Sequence, residues 1–145
     1  MVNEKGYEFL EHTADVYIAA HGKNLAEALE NAAAAMFDVM TDIEKISPKT
    51  KDYVEVDAED EYALLYSWLE ALLIKFDVNG MLYSKFKILD LKQTSSGIKL
   101  KAEAWGEKYN SQKHPQKVGV KAVTYHQMEI IKERGKVTLK FILDI

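Results

Sequence analysis

Two segments of helical period lie among short runs of strand-like alternation, and their order along the chain leaves few architectures open. Asn24, followed three residues later by Glu27, is an N-cap with a capping-box partner. Leu25, Ala28, Leu29, Ala32, Ala33, Met36, Phe37 and Met40 then recur on one helical face. Alanines 32–35 permit this helix to lie close against a sheet. Asp60 caps a second helix, from about Glu61 to Val78. Its stripe of Tyr62, Leu65, Trp68, Leu69, Leu72, Leu73 and Phe76 is widened by Leu64 and Ile74, so it reads as the most buried element. Asn79 and Gly80 end it.

The strand-like runs are Tyr7–Glu11, Val16–His21, Tyr53–Val56, Lys85–Thr94, Ile98–Trp105, Met128–Lys132 and Val137–Leu143. In the fifth, Ile98, Leu100, Ala102 and Ala104 alternate with Lys99, Lys101, Glu103 and Trp105, which predicts one buried face. Gly106–Lys117 reads as a polar loop, and Gly119–Tyr125 as a short helix or a strand. Strand, strand, helix, strand, helix and then several strands is an α+β pattern. It predicts a mixed, mostly antiparallel sheet with two amphipathic helices packed on one face. No linker or repeat divides the 145 residues, so one domain over 1–145 is expected.

The formal charge of −4 argues against non-specific nucleic-acid binding as the main activity, which needs a basic face. A local patch stays open, because Lys85, Lys87, Lys92, Lys99 and Lys101 gather around one expected hairpin. Lysines that protect a strand edge from aggregation are the plainer explanation. With no cysteine, disulfides, thiolate zinc sites and thiol nucleophiles are excluded. No segment has the pattern of a signal peptide or the length of a membrane span, so a cytoplasmic protein is expected.

Three groups of residues could carry chemistry. Asp15 lies in the short connection between the first two strands, Asp144 and Ile145 follow the last one. If these segments meet, two carboxylates and the oxygens of Ile145 would form a site for a hard cation such as Ca²⁺. The alternative is an Asx-turn at Asp15 and a solvated Asp144. Among the histidines, His12 with Asp15, or His114 with His126, could form a metal site or an acid–base pair. His21, beside an apolar strand, reads as a hydrogen-bonded structural residue. Glu107, Lys121, Thr124, Tyr125 and His126 are a dense polar set that suits either a docking surface or a loop held by its own hydrogen bonds. No phosphate-binding loop or serine-nucleophile elbow is present.

Four pieces in order carry a resemblance: His12-Thr13-Ala14-Asp15-Val16; Trp105-Gly106-Glu107 with Tyr109 and His114; Val120-Lys121-Ala122-Val123-Thr124-Tyr125-His126; and the ending Asp144-Ile145. Together they resemble the archease family over nearly the whole chain. The resemblance implies an accessory protein of tRNA splicing, not an enzyme. Such a protein activates a GTP-dependent RNA ligase of the RtcB type, promotes its guanylylation and multiple turnover, and broadens its nucleotide use. It implies a calcium site on Asp15, Asp144 and Ile145. His12, Glu107, His114, Lys121, Tyr125 and His126 are then partner-contact or supporting residues, and tRNA is approached only indirectly. The rival readings are a chaperone-like modulator of RNA-processing proteins and a metal-dependent phosphohydrolase using Asp15, Asp144 and His12.

Overall fold

The computed structural model describes residues 6–11 and 15–145. Strands β1 (Tyr7–Leu10) and β2 (Val16–Gly22) precede helix α1 (Leu25–Met40). A single 3₁₀ turn (Ile43–Lys45) leads to β3 (Thr50–Ala58) and then α2 (Glu61–Asn79). Strands β4 (Met81–Thr94) and β5 (Gly97–Lys108) follow as a long hairpin, and β6 (Ala122–Val123), β7 (Glu129–Glu133) and β8 (Lys136–Asp144) complete the order.

Both helices begin where their caps predict. Asn24 Oδ1 accepts the Glu27 N–H at 2.9 Å, and Asp60 Oδ1 accepts that of Ala63 at 2.8 Å. Glu27 reaches back to the Lys23 N–H, one residue before the cap. Gly80 ends α2 at φ 69°, a left-handed conformation that a side chain would disfavour.

The α+β class and the antiparallel strands are as expected, but the strands divide between two sheets. One is ordered β1-β2-β8-β6, with β7 also on β8; the other is β3-β5-β4. Every ladder among the described residues is antiparallel. Pairing joins segments far apart in the chain, such as Val16 with Leu143, and local alternation carries no record of which strand finds which. Both sheets and both helices contribute to one buried cluster, including Ile18, Phe37, Trp68, Leu100 and Phe141. The indole N–H of Trp68 donates to the Leu29 carbonyl at 2.8 Å, tying α2 to α1 inside it.

The more buried helix is α1, not α2. It packs against β2, β4, β8 and α2, and ten of its residues, Asp38 among them, are buried. Helix α2 leaves one side in water, where Ile74 and Val78 are 50% and 74% exposed. Ile74 therefore does not belong to the apolar stripe. The strands of the β4–β5 hairpin run longer than their alternation indicates, because Met81, Leu82 and Tyr83 are buried in succession and β5 continues through Gly106 and Glu107. A Cβ at Gly106 would lie 1.7 Å from the Leu82 carbonyl oxygen, so only glycine permits this strand approach.

Candidate functional site

Strand β8 brings the two ends of the described chain together. Val16 pairs with Leu143; Asp15 immediately precedes the first residue of β2, and Asp144 is the last residue of β8. On the opposite edge of β8, Ala122 pairs with Asp144, and the Lys121 N–H donates to the Asp144 carbonyl at 2.7 Å. Leu143 is buried in the core, and Asp144, at the end of the strand, is exposed. Asp15, Lys121, Asp144 and Ile145 thus share one end of the five-stranded sheet. Carboxylate oxygens are the donors that a hard cation takes, yet Ca²⁺ requires six to eight of them. Two aspartates and the oxygens of Ile145 fit in kind and fall short in number, so water or a partner's oxygens would complete the shell. Among the described residues no three histidine or acidic side chains gather as metal ligands. His12 and Thr13 lie outside the described residues.

A second cluster is built on Glu107 at the end of β5. Its Oε2 accepts hydrogen bonds from Lys113 Nζ at 2.6 Å, His114 Nε2 at 2.9 Å and the Ser47 N–H at 3.0 Å. Lys49 Nζ lies 3.7 Å from Oε1. The Asn110 N–H points at His114 Nδ1, 2.9 Å away. That nitrogen therefore carries no proton, and Nε2 is the donor toward Glu107. Burial alone would push the Glu107 carboxyl up, but the hydrogen bonds from Lys113, Ser47 and His114, with the Lys113 charge, bring it down to about 2. His114 is 1% exposed, so it supports the loop from inside and offers no surface to a partner. The cluster fastens residues 109–114 to β5 and to the connection before β3.

Tyr125 and His126 turn away from the sheet end. The Tyr125 ring stacks on Tyr66 of α2, with centroids 4.5 Å apart and planes 4° from parallel. Burial, then the charges of Asp60, Glu59 and Glu70, push its hydroxyl above the ordinary range. His126 is exposed, its N–H donating to Thr124 Oγ1 at 3.3 Å; it is not joined to His114, which is buried and bound to Glu107. His21 bridges strands as a structural residue, with Nδ1 3.0 Å from Thr138 Oγ1 and Nε2 3.1 Å from Glu8 Oε2.

Two features carry no signal in the residue pattern. Asp38, buried on α1, accepts from Tyr7 Oη at 3.0 Å and from the Ile43 N–H at 3.1 Å. Lys117 Nζ donates to the Asp38 carbonyl at 2.6 Å, anchoring the segment before β6. Beside it lies a cavity of about 120 Å³ lined by Met40, Thr41, Phe76, Leu82, Tyr109 and Val118, among others. The hydroxyl of Thr41 is buried with no partner among the described residues.

The α+β fold of this chain is shared with known proteins. The sequence model of the archease protein family (MTH1598/TM1083) matches residues 7–145. The archease of Sulfurisphaera tokodaii is 46% identical over 140 residues, covering 96% of this chain and 98% of the relative. That of Thermococcus kodakarensis is 44% identical over the same shares. The solution structure of protein 1598 of Methanobacterium thermoautotrophicum superposes with a TM-score of 0.85 at 42% identity, over 97% of this chain and 99% of that one. A crystal structure from Thermotoga maritima, described as an archease and possible chaperone, shares the fold with a TM-score of 0.60 at 17% identity, over 94% of each chain. The chain belongs to the archease family.

Proposed function

We propose that this protein is an accessory factor, not an enzyme, that activates a GTP-dependent RNA ligase of the RtcB type in tRNA splicing. It promotes guanylylation and multiple turnover of the ligase, and broadens its nucleotide use, by offering a divalent cation, Ca²⁺ or a chemical equivalent, from the sheet end. The reading is supported by membership of the archease family and by one observation above others: the Val16–Leu143 pair, with Asp15 and Asp144 each the next residue beyond it in the chain. A bound divalent cation would supply the positive charge that draws phosphate oxygens. Asp15, Asp144 and Ile145 contribute oxygens and hold that charge at the rim. Lys121, fixed by its backbone to Asp144, adds a cation beside them. Cytoplasmic residence is part of the same proposal.

The test is ligase guanylylation by GTP, with and without this protein. Wild type should accelerate it, and Asp15→Ala or Asp144→Ala should abolish the acceleration while leaving the circular dichroism spectrum unchanged. Full stimulation by both variants would refute the cation mechanism. A chaperone-like role is the second reading, favoured by the exposed Ile74 and Val78 one turn apart on α2 and by the description of the Thermotoga relative. It predicts that a client protein stays soluble in EDTA and that Ile74→Ser with Val78→Ser removes the effect.

A further inference from the structure

The three-stranded sheet has one face on the helices and one in water. Val54, Val56, Leu100, Ala102 and Ala104 are buried on the inner face. The outer face is neither apolar nor evenly charged. Its first row across the strands is Lys51, Trp105 and Lys85, and its second is Tyr53, Glu103 and Lys87. Lys85 Nζ lies 4.6 Å from the Trp105 ring centroid, and Lys51 Nζ lies 5.4 Å from that of Tyr53. Tyr53 is 64% exposed.

Edge protection accounts for only part of this. Lys99 and Lys101 are on β5, the central strand, and they reach Asp57 and Glu55 at 3.8 Å. Lys87 and Lys92 on β4 have no ion pair among the described residues, and Lys92 stands directly opposite Lys99. Asp57 meets the charge of Lys99 from the other side of the row, which leaves Lys92 as the lysine without an anion there. Six lysines and four acids occupy the outer face, an excess of positive charge on a chain whose net charge is −4.

We infer that this face binds single-stranded RNA, through base stacking on Trp105 and Tyr53 and phosphate contacts from Lys85, Lys87 and Lys92. Alternate side chains on a strand stand about 7 Å apart, so Lys85 and Lys87 form a track beside the aromatic pair. An exposed lysine–aromatic contact is weaker than a base stacked on the same ring, so an incoming base can displace Lys85 toward phosphate. Paired bases in a duplex present no free ring face, which restricts the site to single strands. The inference does not depend on the ligase or on a cation at the sheet end.

The chain has two tryptophans, and Trp68 is fully buried, so quenching of tryptophan emission by RNA reports on Trp105. Short oligouridylate and oligoadenylate are titrated into the full chain in EDTA, with the anisotropy of labelled RNA read in parallel. Quenching should accompany binding, and three neutralised phosphates on a single strand should give a log–log salt slope of about −2, or roughly 15-fold weaker binding from 50 to 200 mM salt. Lys87→Glu with Lys92→Glu, at exposed positions that do not endanger folding, should weaken binding at least tenfold. Trp105→Ala should do the same and abolish the quenching. The inference is overturned if neither signal changes with wild type, if the lysine variant binds as wild type does, or if a duplex or polyglutamate binds as tightly as the single strand.

Discussion

Replacing Glu107 by glutamine keeps the shape and one acceptor oxygen but removes the charge that Lys113, Ser47 and His114 converge upon. A carboxyl held at about 2 against an ordinary 4.5 corresponds to at most about 3 kcal/mol of folding free energy at neutral pH. Lys113 is 37% exposed, so water screens its contribution and about 1.5–3 kcal/mol is expected. For a chain of this size that lowers the melting temperature by about 4–10 °C. The sign follows from which state takes up the proton first. The folded carboxyl titrates below the unfolded one, so the unfolded chain is protonated first as acid is added. Stabilisation is complete above about pH 4.5 and gone below about pH 2. Urea unfolding of wild type and Glu107→Gln between pH 7 and pH 2 should show two curves that are well separated at neutrality and converge in acid. A difference at pH 7 within about 0.5 kcal/mol, the range of ordinary surface changes, would refute the reasoning, as would a gap that does not narrow with acid.

Gly106→Ala should be severely destabilising, because the new carbon would meet the Leu82 carbonyl where β4 and β5 pair; several kcal/mol or failure to fold is expected, read by yield and circular dichroism. Thr41→Val should stabilise by about 1 kcal/mol in urea, since it removes an unpaired buried hydroxyl while keeping the backbone bond that ends α1. Tyr125→Ala should cost about 0.5–1.5 kcal/mol through loss of the stack on Tyr66, and a double cycle with Tyr66→Ala isolates that coupling. Asp144→Ala should remove any Ca²⁺-dependent rise in melting temperature seen with wild type.

What could be read from the residues divides along the range of the interactions. The two helices were legible to within a residue or so, because period, cap and terminating glycine all act within a few positions. The relative burial of the helices was not, since it depends on which elements cover them; Ile74 has the right spacing for a core residue and no neighbour to pack against. The β4 and β5 boundaries were short because three successive buried residues show no alternation. Glu107 and His114 stood out as a polar group near a glycine, but the sequence did not distinguish a docking surface from an internally fastened loop. Asp38 carried no signal in the residue pattern, since its three attachments come from Tyr7, Ile43 and Lys117 on other segments. The approach of Asp15 and Asp144 to one sheet end follows from the pairing of Val16 with Leu143, a register spanning most of the chain. Local chemistry made that pairing conceivable, and only the fold could produce it.

That register also governs how the protein comes into being. Strand β8 follows every strand it joins, and β2 must wait for more than a hundred residues before its second neighbour is made. Through that interval the edge of β2 turned away from β1 has no sheet partner, and non-local closure of this kind is intrinsically slow. A ribosome stalled short of residue 136, or a proteolytic cut before it, would leave a half-built sheet with an adhesive margin. The sheet end that carries Asp144 exists only once synthesis has passed β8, so an incomplete copy has the open margin without the strand that covers it.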